Sequence, residues 1–104
     1  MTVLELSDEW WSRDGPLAAD NFAAVLREIE RELSPDHPLA GQVVRVEARF
    51  GPSDDVIVSL VDGGFALVHP TWSGHVEPSP CPDTTYLGDA AKASQAIAEW
   101  ERWW

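Results

Sequence analysis

The chain has 104 residues, of which 44% are hydrophobic, 10% aromatic and 24% charged. That size and composition suit one globular domain spanning 1–104 and exclude a collagen-like or disordered polypeptide. Seven Lys and Arg stand against 18 Asp and Glu, a formal net charge of −11, and such a field opposes docking on a phosphate backbone, so no nucleic-acid partner is expected.

The opening segment, Met1 to Glu9, has no basic stretch ahead of its few apolar residues and does not read as a secretory signal. The one cysteine, Cys81, cannot form an internal disulfide and fits a reducing compartment, so a cytoplasmic address is expected. No window approaches the ~18 consecutive apolar residues of a membrane span, so no membrane role is expected.

From Leu17 to Leu33, the residues Phe22, Leu26, Ile29 and Leu33 recur at helical spacing and leave Arg27, Glu28, Glu30, Arg31 and Glu32 mostly outward. This predicts an amphipathic helix that starts between Pro16 and Asn21, after the turn signal Asp14-Gly15-Pro16, and ends at Ser34-Pro35. His37, in Pro35-Asp36-His37-Pro38, reads as a surface turn residue.

The period then falls to two. Val44, Val46, Ala48 and Phe50 alternate with Arg45, Glu47 and Arg49, which predicts a half-exposed strand with the apolar set on one face. After the polar turn Gly51 to Asp55, the nearly unbroken apolar run Val56 to Val61 has the pattern of a more central strand. Asp62-Gly63-Gly64 connects it tightly to Phe65-Ala66-Leu67-Val68-His69, a hairpin signal.

Four prolines between Pro70 and Pro82 predict a long loop. Thr84 to Leu87 could add a short strand, and Gly88-Asp89 offers a cap for a last helix with Ala90, Ala93, Ile97, Trp100 and Trp104 on one stripe. The resulting fold class is α+β: helix, three-stranded antiparallel meander, proline-rich loop and C-terminal helix, with both helices on one sheet face.

The acid excess is the largest departure from average composition. It is weighted toward the first third, −6 over residues 1–36 against −2 over 37–70 and −3 over 71–104. An acidic face would steer a basic protein toward it, and Asp8, Glu9, Glu28, Glu32, Asp54 and Asp55 are its candidate members. Six tryptophans are several times ordinary usage. Adjacent rings such as Trp10-Trp11 rarely both point inward, and Trp103 falls beside the last helix's apolar stripe, so some rings should be available as interface anchors; Trp72 and Trp103 are the candidates.

Other chemistry finds little support. His69, His75 and Cys81 are spaced H-x5-H-x5-C with Glu77 and Asp83 nearby, the basis of an alternative reading as a small enzyme or metal protein. Structural zinc sites use tighter pairs, and Cys81 between two prolines has no evident activating neighbour. Acid pairs drawn from Asp54, Asp55, Asp62 and Glu77 carry no specificity in so acidic a chain, and Gly63-Gly64 lacks a phosphate-loop context. No catalytic residues, cofactor or metal are expected.

The stretch Ala66 to Gly74, with His69-Pro70-Thr71-Trp72-Ser73-Gly74 at its centre, followed by Glu77, Pro80, Pro82, Thr84 and Leu87, resembles a segment of small uncharacterised actinobacterial proteins. In those a strand runs into His-x-Thr-Trp-Ser-Gly, a glutamate and a proline-containing loop, although Cys81 stands where that pattern has an aromatic residue. Some similar proteins are encoded near polymorphic toxins and are regarded as immunity proteins. The resemblance implies that His69, Trp72, Gly74 and Glu77 form a structural or recognition corner, with Trp72 folding under the loop. Together these features point to a non-catalytic acidic binding domain for a basic protein such as a nuclease toxin, acting as a monomer or small homo-oligomer. A homodimeric structural module sealed by terminal tryptophans is the second alternative.

Overall fold

The computed structural model describes residues 4–12, 18–78 and 81–103. Among these residues, five strands and two helices follow in the order β1 (Trp10–Ser12), α1 (Ala18–Glu32), β2 (Val43–Phe50), β3 (Val56–Leu60), β4 (Phe65–His69), β5 (Asp83–Gly88) and α2 (Ala90–Arg102). The strands form one antiparallel sheet in chain order, β1-β2-β3-β4-β5. The α+β class holds, but the three-stranded meander is corrected to five strands. Both added strands are edges: β1 has three residues and no alternating pattern, and β5 is largely exposed, so neither leaves a strong hydrophobic signature.

The helices lie on opposite faces of the sheet, contrary to the single covered face expected from the sequence. Side chains alternate along a strand, so Val56, Val58 and Leu60 of β3 face one way and Ile57 the other, and all four are buried. Val56, Val58, Leu60, Ala66 and Val68 pack with Phe22, Val25 and Ile29 of α1. Ile57, Leu67 and Leu87 pack with Ala93 and Ile97 of α2. A strand apolar on both faces needs cover on both, because each exposed Val or Ile would forgo about 1.5–3 kcal/mol of burial.

β2 divides its side chains between these two cores. Val46 belongs to the α1 core, whereas Ala48 and Phe50 belong to the α2 core, and Val44 is exposed. Register shifts against β3 between Val43 and Arg45 and again between Val46 and Ala48 account for the departure from strict alternation, since an extra residue in one strand reverses which face the next side chain meets.

Several local signals behave as the sequence indicates. α1 ends before Pro35, the β3–β4 turn carries Gly63 at φ 87 and closes through Leu60 N–H to Gly64 O at 2.9 Å, and Asp89 caps α2 by accepting from Lys92 N–H at 2.9 Å. The predicted start signal Asp14-Gly15-Pro16, together with Pro80 and Trp104, lies outside the described residues.

His37 is buried, not a surface turn residue. Its Nδ1 accepts from Leu39 N–H at 3.0 Å, which fixes the proton on Nε2, placed to donate to Pro82 O at 3.2 Å. One ring therefore ties the α1–β2 connection to the segment entering β5.

Candidate functional site

α1 has a second buried stripe beside its apolar one. Val25, Glu28, Ile29 and Glu32 fall at spacings of three, four and seven residues, and Glu28 and Glu32 are only 8% and 0% exposed. Both carboxylates face the loop after β4. Glu32 accepts Thr71 N–H at 2.8 Å and Trp72 N–H at 2.9 Å with its two oxygens, and Glu28 accepts Gly74 N–H at 2.9 Å. The Glu32 main-chain carbonyl takes Glu77 N–H at 2.9 Å, and the Thr71 hydroxyl bonds the Glu77 carboxylate at 3.0 Å.

Two carboxylates one helical turn apart in a buried site cannot both ionise without strong repulsion. Burial and the hydrogen bond to Glu28 push the Glu32 carboxyl up, against the opposing pull of the Thr71 and Trp72 amides. The hydrogen bond from Glu32 and the Gly74 amide hold Glu28 down, with Arg31 assisting. Of the two, Glu28 is thus the group that ionises first and Glu32 the one that keeps its proton to higher pH. Glu77 is also held down, by hydrogen bonds from Ser73 and Thr71. Glu28 and Glu32 were candidates for a surface docking face; the structure corrects this, because both are consumed in holding the loop.

The loop presents Trp72, which is 44% exposed and sits at φ 61. The guanidinium carbon of Arg49 lies 5.3 Å from the Trp72 ring centroid. The same guanidinium donates to Asp54 Oδ1 at 2.9 Å and to Asn21 Oδ1 of α1 at 3.0 Å. Asp54 is exposed and sits at φ 64. Among the described residues, Asp54 and Trp72 are the two non-glycine residues at positive φ, and both touch Arg49. Left-handed backbone at a residue with a Cβ costs about 1–2 kcal/mol, less for Asp.

Trp11 pairs with Arg49 across β1 and β2 and so lies on the same sheet face, more than half exposed. Gly51 N–H donates to Glu9 O at 2.9 Å, which sets the exposed Asp8-Glu9 segment against the turn carrying Asp54. Asp8, Glu9, Asp54 and Trp72 are thereby gathered around one end of the sheet. Trp11 and Arg49 are members that sequence reasoning missed; the Trp10-Trp11 pair indicated that one ring should face outward, but only the β1–β2 register places it beside Arg49.

The remaining candidates lie apart. Asp55 is buried, bonded to the Ser53 hydroxyl and, at 3.0 Å, to His69 Nδ1, so it too is removed from any docking face. Trp103 follows the C-terminal end of α2, on the other side of the sheet, and is 85% exposed. Nearby, Trp10, Phe50 and Trp100 form a ring cluster with centroids 4.9 to 5.9 Å apart, and the Trp10 indole donates to Glu101 Oε1 at 2.7 Å.

Trp72 does not fold under the loop, as the resemblance implied; it stands out from it. His69 is engaged with Asp55 while His75 Nδ1 lies 3.1 Å from Val76 O. Among the described residues no group of three or more His, Cys, Asp and Glu side chains is arranged to hold a metal ion. Nor, among the described residues, is any helix long and apolar enough to cross a membrane. Comparison with known proteins returns no matching family model, no similar curated protein and no similar solved structure.

Proposed function

We propose that this chain is a non-catalytic binding protein for a basic protein partner, most specifically an immunity-type inhibitor that covers the cationic surface of a toxin such as a nuclease. The observation that carries the reading is the pair of exposed residues at positive φ, Trp72 and Asp54, joined through Arg49. Backbone strain at exposed positions persists only where the surroundings hold it, and it gathers at functional sites. Here two buried carboxylates supply the hold, and what they hold out to solvent is an indole ring.

The chemistry of the face suits a cationic partner. Trp is the strongest aromatic acceptor for a Lys or Arg side chain, and the Trp72 ring already carries one guanidinium. Asp8, Glu9 and Asp54 around it would steer a basic protein and pair with its side chains, in a chain whose net charge is −11. Positively charged surfaces are what phosphate-binding proteins must display, so an acidic inhibitor of a nuclease competes for the same groups.

The test is affinity capture from the native organism at low ionic strength with the intact chain, with Trp72→Ala, and with Asp8→Asn/Glu9→Gln. A basic protein retained by the intact chain, lost with Trp72→Ala, weakened by the charge variant and released as salt shortens the Debye length from ~10 Å to ~3 Å supports the reading. Capture of only neutral or acidic proteins, or equal retention of a basic one by all three, refutes it.

A further inference from the structure

The two edges of the sheet are built differently. β1 is an edge strand of three residues laid along the last part of β2, and the rest of β2 carries the charges of Arg45 and Glu47. Short edge strands and edge charges are both devices that keep a sheet from pairing with other chains. β5 is the other edge, and along Thr84-Thr85-Tyr86-Leu87 it has neither a charge nor a proline, only residues that favour extended backbone.

The direction of its main-chain groups follows from the hairpin before it. Leu60 N–H bonds Gly64 O at 2.9 Å, which makes these two a hydrogen-bonded pair, and at steps of two so are Val58 with Ala66 and Val56 with Val68. Successive residues of a strand turn their N–H and C=O to opposite sides, so Leu67 and His69 turn theirs to β5, where they meet Thr85 and Asp83. Thr84 and Tyr86 therefore direct their N–H and C=O out of the sheet, a row that a further strand can match. The register shift between β4 and β5 lies past this row, between Phe65 and Ala66. Thr85 and Tyr86 are exposed and fall on opposite sheet faces, Tyr86 by 60%. Acids flank the row: Asp83 is exposed at its start, Asp62 accepts the Tyr86 hydroxyl at 3.3 Å, and the charge of Asp89 reaches the same hydroxyl. Lys92, whose chain lies over Gly88, is the cation beyond its end.

We propose that the Thr84–Tyr86 edge of β5 takes up an extended cationic segment of the partner protein as a sixth, antiparallel strand. Main-chain bonds hold such a strand, and the flanking acids select for Lys and Arg on it. A second copy of this chain is the poorer occupant. It brings its own charge of −11 against the first, and six strand residues a side fall well short of the about 20–30 of a standard interface. A cationic partner reverses the repulsion and adds contacts elsewhere. His69, opposite Asp83, bonds Asp55, the neighbour of Asp54 in the β2–β3 turn. An antiparallel strand running toward Asp83 thus leaves the sheet at the end where Asp54 and Trp72 lie. This mode of docking rests on the reading of the chain as a binder of basic proteins, but the edge is measurable without that partner.

The probe is a capped peptide, Lys-Val-Lys-Thr-Lys-Val-Lys, titrated at low ionic strength into the isotope-labelled intact chain and followed through its backbone amide resonances. Two controls are the same peptide N-methylated at its three central amides, which closes both its edges, and the analogue with Glu for Lys. The basic peptide should give saturable shifts centred on Thr84 and Tyr86 and slow hydrogen exchange of those two amides at least tenfold at saturation; both controls should bind at least tenfold more weakly. Thr84→Pro removes an outward N–H and leaves the ladder to β4 intact, so it should weaken the basic peptide at least tenfold in a chain that still unfolds cooperatively in urea. Absence of saturable shifts at millimolar peptide, shifts centred elsewhere, or equal binding of the methylated peptide overturns the proposal on the unsubstituted chain alone. Full binding to folded Thr84→Pro does so as well, and Thr84 and Tyr86 resonances that move on dilution of the free chain overturn it in favour of a second copy. Trp72→Ala should leave the peptide bound. Full capture of a basic protein by Thr84→Pro removes the edge from docking and keeps the binding reading, whereas failure of capture with the peptide still bound at Thr84 and Tyr86 removes that reading and keeps the edge as a site for a basic strand.

Discussion

Replacing Glu32 by alanine separates holding the loop from holding the fold. The substitution takes the acceptor from Thr71 N–H and Trp72 N–H, bonds of 2.8 and 2.9 Å. A hydrogen bond to a carboxyl group contributes about 1.5 kcal/mol, where the ranges for neutral and charged acceptors meet, giving roughly 3 kcal/mol for the two amides. Against this stands the cost of keeping a carboxyl in a site with 0% exposure, which burial alone makes several kcal/mol before its bonds are formed. Alanine removes that cost, and once the loop lifts its amides regain water. Global stability should therefore fall by only about 1–2 kcal/mol, while the free energy of lifting the loop falls by nearly the full 3, a roughly 100-fold rise in its open population. Urea unfolding reads the first quantity; limited proteolysis within residues 70–78, under conditions where cleavage follows the open population, reads the second. Glu30→Ala, an exposed site on the same helix, serves as the control. A loss of 4 kcal/mol or more in global stability with no added loop cleavage would refute the assignment of Glu32 as a loop holder and make it part of the core.

Three further substitutions probe features that the fold adds. His37→Ala should cost about 2–4 kcal/mol in urea unfolding, since it strips two buried bonds and leaves Leu39 N–H without its acceptor, and His37→Asn should recover part of this by keeping an oxygen near the Nδ1 position. Trp10→Phe should cost about 1–2 kcal/mol: a ring still meets Phe50 and Trp100, but Glu101 loses the indole donor; no loss would mean that the 2.7 Å bond contributes nothing. The one tyrosine, Tyr86, is held above its ordinary value chiefly by the charge of Asp62, so a spectrophotometric titration should show a raised midpoint that Asp62→Asn lowers; an unchanged midpoint would remove that contact from solution.

The parts of this fold that could be read from the sequence are those in which a residue's neighbours along the chain decide its conformation. Ser34-Pro35 stops α1, Asp89 caps α2 and Asp62-Gly63-Gly64 turns β3 into β4 through contacts a few residues long. The edge strands are different. Trp10 to Ser12 is extended because β2 offers eight residues of which β1 pairs with the last three, and nothing inside Trp-Trp-Ser requires it. The run Val56 to Val61 did carry the information that its strand is covered on both faces, and it was the assignment of both helices to one face that contradicted it.

Charge misleads most at the functional site, and for a physical reason. Binary patterning assigns Glu28 and Glu32 to solvent because an unpaired carboxylate is expensive to bury, and at the level of a single helix that is correct. The expense is met by a partner some forty residues away in the chain: three loop amides that need acceptors where no regular strand can supply them, in a segment bounded by Pro70 and Pro78. Each half looks anomalous alone, acids on a buried stripe and a loop with unpaired donors, and each satisfies the other. The spacing of Glu28 and Glu32 at one helical turn is visible in the sequence, and so is a Trp between Thr71 and Gly74 in a loop. Only the tertiary fold shows that the first pair holds the second segment, and that the exposed ring at φ 61 is the product of that hold.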